Sequence, residues 1–215
     1  MRTLRLPACV ALLAFSIAGF AETRIPCSQT LTRPLQSRAV LTIDSRPAGI
    51  QITGTDGDEL RVSCTTASGE IAKQVAFHFS TTATGSKLSV EGPHMDHGDN
   101  NLDIKIEVPR RTSLRVRIFA GQVTVEDVKG DKDIEVGAGQ ITISSIHAGD
   151  YRSVHASVGV GEVKAQAFGA DKGGFFRSFS KENSNGDYRL QAHVTTGEID
   201  LLGNAEQQNN QPKPD

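Results

Sequence analysis

Four residue groups in this chain carry enough functional chemistry to weigh first. Glu162, Lys164, Glu198 and Asp200 stand at equivalent places in two copies of one phrase, Gly161-Glu-Val-Lys-Ala165 and Gly197-Glu-Ile-Asp-Leu201. If those copies lie side by side, Glu162 and Glu198 are about 4.8 Å apart, close enough to share a proton, hold Ca²⁺ or divide acid and base roles. The plainer reading is that both carboxylates splay into water and Lys164 relieves their repulsion. His94, Asp96, His97 and Asp99 gather imidazoles and carboxylates of the kind Zn²⁺ prefers, but no helix fixes their geometry and Gly98 loosens it. A solvated loop is the better account, so no metal site and no cofactor are expected. Phe168, Phe175, Phe176 and Phe179 crowd a short stretch diluted by Gly173, Gly174, Ser178 and Ser180. They read as a flap folded over the flank of the core, or else as an exposed apolar patch that docks a partner. Arg110, Arg111, Arg115 and Arg117 form a basic stripe beside Leu114, Val116 and Ile118, which is either a solvated strand face or a grip on an anionic polymer or lipid headgroup.

Nucleophile and nucleotide motifs fail. His155-Ala-Ser157-Val-Gly159 lacks the first glycine of a serine elbow and alternates like a strand. Gly137-Ala-Gly139 and Gly159-Val-Gly161 lack the third glycine and following helix of a dinucleotide site. No catalytic residue is expected. A net charge of −2 supplies no basic footprint for nucleic acid.

The elements that must position these residues are strands. The phrase Gly, polar, apolar, polar, apolar occurs four times: Gly121-Gln-Val-Thr-Val125, Gly139-Gln-Ile-Thr-Ile143, Gly161-Glu-Val-Lys-Ala165 and Gly197-Glu-Ile-Asp-Leu201. Such self-similarity is the mark of stacked, nearly identical strands. Each interval also holds a second alternating run, Ile134 to Val136, Tyr151 to Val158 and Tyr188 to Val194. The last two open alike, Gly149-Asp-Tyr-Arg152 and Gly186-Asp-Tyr-Arg189, so residues 169–185 read as an insertion. One repeat is then two short strands. The expected fold is all-β, a β-solenoid of stacked short strands with an irregular amino-terminal β region, and a column of Val123, Ile141, Val163 and Ile199 inside. A β-sandwich is the alternative. No helix longer than two turns is expected after the leader.

Residues 1–21 combine Arg2 and Arg5 with an apolar run to Phe20 and a small-residue cleavage site at Ala21, an export signal too short to span a bilayer as a helix. No membrane span is expected after cleavage. An amino-terminal extension occupies 22–38, the β domain 39–203 and a polar, disordered tail 204–215. Cys27 and Cys64 remain after cleavage; in an oxidising compartment the pair is expected to form a disulfide, the alternative being two separately buried thiols.

From Ala39 to Leu202 the chain resembles the family of exported bacterial putative adhesins, built from repeated Gly-[Asp/Glu/Gln]-[Val/Ile]-x-[Val/Ile] rungs. The likeness rests on Val108-Pro109 ahead of Leu114-Arg-Val116, on Asp127-Val-Lys-Gly130 and on the four glycine phrases, with Gln122 and Gln140 departing from the commoner acidic residue. It implies a β-solenoid at the cell envelope and brings no catalytic residues. The expected function is therefore a non-enzymatic exported module in the periplasm or at the cell surface. Its partner would be an envelope protein or glycan, met through Phe175, Phe176, Phe179, Glu162, Lys164, Glu198 and Asp200. Self-association through the solenoid ends is a further route. The alternative function is a β-helix enzyme of the polysaccharide-lyase type, against which stand the absence of tryptophan and of aromatic platforms.

Overall fold

A computed structural model describes residues 23–46, 48–82, 84–92 and 102–203. Residues 1–21, read from sequence as an export signal, the His94 to Asp99 cluster and residues 204–215 lie outside the described residues. Thirteen strands follow in order: β1 (Thr23–Pro26), β2 (Leu31–Pro34), β3 (Val40–Ser45), β4 (Ala48–Thr55), β5 (Glu59–Thr65), β6 (Ala76–Thr82), β7 (Gly85–Glu91), β8 (Asp103–Pro109), β9 (Ser113–Glu126), β10 (Lys132–Ile146), β11 (Tyr151–Ala165), β12 (Ala170–Glu182) and β13 (Tyr188–Gly203). Among the described residues one α-helix, α1 (Gly69–Gln74), sits between β5 and β6, its amino end held by Ser68 Oγ accepting from the Ile71 amide. No helix among the described residues is long and apolar enough to cross a membrane.

The strands belong to a single open, mixed sheet. The expected all-β architecture thus holds, in a sheet that stays open instead of showing the closed coils of the expected solenoid. Each repeat differs from the expected pair of short strands: it is one long strand of 14 to 16 residues, bent where its glycine adopts positive φ, from 128° at Gly121 to 141° at Gly197. Only glycine suits that corner. The four glycines stack backbone on backbone, and a Cβ on Gly139 would overlap the Gly121 carbonyl oxygen just as one on Gly197 would overlap that of Gly139.

The repeats pair in parallel with like opposite like. Val123 lies beside Ile141 and Ile141 beside Ile199, and Ile199 beside Val163. All four are at most 1% exposed. A second column, Val125, Ile143, Leu201 and Ala165, runs parallel to it, likewise buried. Period-two alternation puts these side chains on the concave face of the bent sheet and the intervening polar ones outside.

Spatial order departs from chain order. β13 lies between β10 and β11, so the sequence of rungs is β9, β10, β13, β11 and the column is ordered Val123, Ile141, Ile199, Val163. The chain leaves β10, skips one strand width to lay down β11, turns back as β12, and returns to fill the slot. Residues 169–185, read from sequence as an insertion, are mostly β12, antiparallel to β11 over its whole length.

The amino-terminal region is more regular than expected. β3 and β4 pair in parallel with the first and second halves of β9, and β7 and β8 repeat that arrangement on β3 and β4. Antiparallel strands then finish both arms, β6 and β1 on β7, β5 and β2 on β8. Cys27 and Cys64 are disulfide-bonded, 37 residues apart with Cα atoms 5.6 Å apart. They tie the segment after β1 to β5 and so join the two arms.

Candidate functional site

The outer face of the second half of each long strand carries two polar rows set by the register. One is Gln122, Gln140, Glu198, Glu162 and the other Thr124, Thr142, Asp200, Lys164. The two acidic rungs are therefore adjacent, as the sequence argument required. Lys164 Nζ, diagonal between them, donates to Glu198 Oε1 and lies 3.3 Å from Glu162 Oε2. Those two carboxylates hold the ammonium well above the ordinary lysine range. Along the same face Gln122 Nε2 donates to Gln140 Oε1 at 3.4 Å, and Gln140 Nε2 to Asp200 Oδ2 at 2.8 Å. Burial lifts the Asp200 carboxyl above the usual carboxylate range against the pull of that amide. One lysine faces three carboxylates, so the ladder keeps a net negative charge, and its residues line neither of the two clefts described below.

Three of the four arginines of the basic stripe are paired. Arg117 makes a two-pronged contact with Asp133 at 2.7 and 2.8 Å and reaches Glu135 at 3.1 Å. Arg115 lies 3.4 Å from Asp133, and Arg110 contacts Asp56 at 3.1 Å and Asp127 at 3.5 Å. These ion pairs stabilise the sheet modestly and leave Arg111 as the member of the stripe without a carboxylate partner among the described residues.

Phe179, expected on an interaction surface, is buried instead, 9% exposed and tilted against Phe168 with centroids 5.5 Å apart. It faces inward because it pairs with Ala156, whose small side chain leaves room in the core. Backbone at Phe175 pairs with Val160; the side chains of Phe175 and Phe176 lie outside the described residues.

Three features went unnoticed in the sequence. Phe119 is 76% exposed at the bend, beside a groove of about 510 Å³ lined by Arg46, Val90, Arg117 and Glu135. Its phase between Val116, Ile118 and Ala120 could have placed it outside. Lys132 is in phase with Ile134 and Val136 and is 2% exposed in the core. A second cleft of about 570 Å³ opens where β11, β12 and β13 begin or end, lined by Arg152, Ser153, Glu182, Asn183, Ser184, Arg189 and Gln191. Both arginines belong to the duplicated Gly-Asp-Tyr-Arg phrase, the signal that pointed there.

The chain is similar in fold to a putative cell adhesion protein from Clostridium sporogenes. That match has a TM-score of 0.52 at 11% identity and covers 82% of this chain and 99% of the other. Weaker likenesses are to a putative adhesin from Bacteroides fragilis, with a TM-score of 0.30, 11% identity and coverage of 82% and 98%, and to a putative lipid binding protein from Parabacteroides distasonis, with 0.22, 10%, 82% and 96%. No family model matches the chain, and no curated protein does.

Proposed function

We propose that this chain is an exported, non-enzymatic interaction module of the cell envelope, adhesin-like in build. Its bent strands wind as a short β-solenoid whose outer faces meet an envelope protein or glycan. The observation that carries this reading is the state of the outward polar rows. Lys164 bridges Glu162 and Glu198 on an open strand face, which is a way to build a rigid, water-compatible surface and a poor way to build an acid and base pair. The leader at residues 1–21 supports export, and the fold likeness to a putative cell adhesion protein is consistent with the same role.

The test uses residues 22–215, purified with the disulfide intact. Saturable sedimentation with bacterial envelope preparations, together with a mature amino terminus near Glu22 when the full chain is expressed, is the expected result. Incubation with uronate polymers is the counter-test. Release of unsaturated products, abolished by Glu162→Gln, would overturn the reading in favour of a lyase.

A further inference from the structure

We infer that the cleft between β11, β12 and β13 is a binding site for an acidic glycan, with Arg152 and Arg189 gripping a carboxylate or sulfate group. This deepens the interaction-module reading and rests on it for the kind of polymer the protein meets.

Unpaired charge is the first observation. Arg110, Arg115 and Arg117 each face a carboxylate within 3.5 Å, whereas the guanidinium groups of Arg152 and Arg189 have no partner among the described residues. Glu182, also in the cleft, pairs with neither. Two unengaged guanidinium forks lining one polar cleft suit a planar or tetrahedral oxyanion.

The strand geometry aims them. Tyr151 pairs with Tyr188, so regular register would set Arg152 against Arg189; instead Ser153 pairs with Arg189 and Arg152 is the extra residue of a bulge. A bulge redirects its side chain, here away from a simple cross-strand ladder. The wall opposite is pinned: the Asn183 amide donates to the Arg152 carbonyl at 2.8 Å, and the Asp187 amide to the Asp150 carbonyl at 2.9 Å. Asn183 Nδ2 also donates to the Gly149 carbonyl at 3.2 Å. Arg189 is held from behind, its amide donating to Asp131 Oδ1 at 2.7 Å. These bonds fix the backbone that carries both arginines.

Beyond the cleft the outer face continues as a hydroxyl and imidazole track. Ser180 and His155 are 2.8 Å apart, and Ser157 and His193 2.9 Å. They occupy the next two cross-strand rows of β12, β11 and β13. Rows two residues apart lie ~6.6 Å from one another, so the cleft and track together extend ~13 Å, the reach of two to three sugar rings. A ligand with an anionic group at one end and hydroxyls along its length matches that layout; an isolated small anion would use only the cleft.

The experiment is calorimetric titration of the purified protein with an oligouronate, a sulfated oligosaccharide of equal length, a neutral oligoglucan and inorganic sulfate. An acidic oligomer should bind at least ~10-fold more tightly than the neutral one and than inorganic sulfate. Which acidic oligomer is preferred tells carboxylate from sulfate. Arg152→Gln and Arg189→Gln should each weaken it by about 10- to 100-fold, as loss of a charge-assisted hydrogen bond does. Ser157→Ala should weaken the oligomer but not inorganic sulfate. Thermal melts report whether the variants are folded, which exposed side chains should allow. Equal binding by wild type and the double arginine variant, no binding of either acidic oligomer, or affinity for sulfate equal to that for the oligomers would each overturn the assignment. Because only purified components are present, such a failure leaves the envelope sedimentation result standing and so separates the cleft from the module reading.

Discussion

Lys132 offers the sharpest test of the energetics. Its ammonium sits in the core, 2% exposed, where Nζ donates to the carbonyls of Val128 at 2.7 Å and Gly130 at 3.2 Å and to Tyr151 Oη at 2.5 Å. Desolvation by burial pushes its pKa down to about 7, with Asp131 and Asp150 pulling weakly the other way. Tyr151 is driven the opposite way by the same burial, well above the ordinary phenol range, so it stays protonated and accepts from Lys132 as a neutral phenol. In the unfolded chain Lys132 keeps its proton to an ordinary 10.5. Between these values the unfolded state holds one proton more, so stability rises with pH, by about 1.4 kcal/mol per pH unit in the middle of the window. From pH 7 to 9 that amounts to about 2 kcal/mol. Urea unfolding of wild type and Lys132→Met at half-unit steps from pH 7 to 9 measures it. Lys132→Met lowers stability overall, since three polar atoms lose a partner, yet its curve should be flatter than that of wild type. Parallel curves for the two proteins would refute the argument that the buried amine is discharged by folding.

Other perturbations test the stack and its tie. Gly197→Ala combines a φ of 141° with a Cβ driven into the Gly139 carbonyl; a loss of about 3 kcal/mol or more is expected in chemical unfolding, against near neutrality for Gly149→Ala, which has open space. Removing the Cys27 to Cys64 bond, whose loop spans 37 residues, should cost at most ~4 kcal/mol, read as a drop in melting temperature on reduction.

The corner glycines and the polar-apolar phase were legible because both are local properties: a residue's side of a strand is set by its neighbours, and a tight corner needs glycine wherever it falls. The same periodicity could have assigned Phe119 to the outside and Lys132 to the inside, since each occupies a place where its chemistry is unusual for its phase. The candidate site was less legible. Glu162 and Glu198 could be named from equivalent repeat positions, but their bridging by Lys164 depends on which strand lies beside which.

What the chain's own text determined is the alternation, the bend glycines, the like-on-like columns and the even cysteine pair. Tertiary structure alone decided that β13 enters between β10 and β11, that Phe179 is buried from an edge strand, and that Arg152 and Arg189 share a cleft. The reason is physical. Near-identical rungs offer one another interchangeable edges, so short-range preference cannot rank their order; the lengths and paths of the connections do, and every contact between distant rungs follows from that choice.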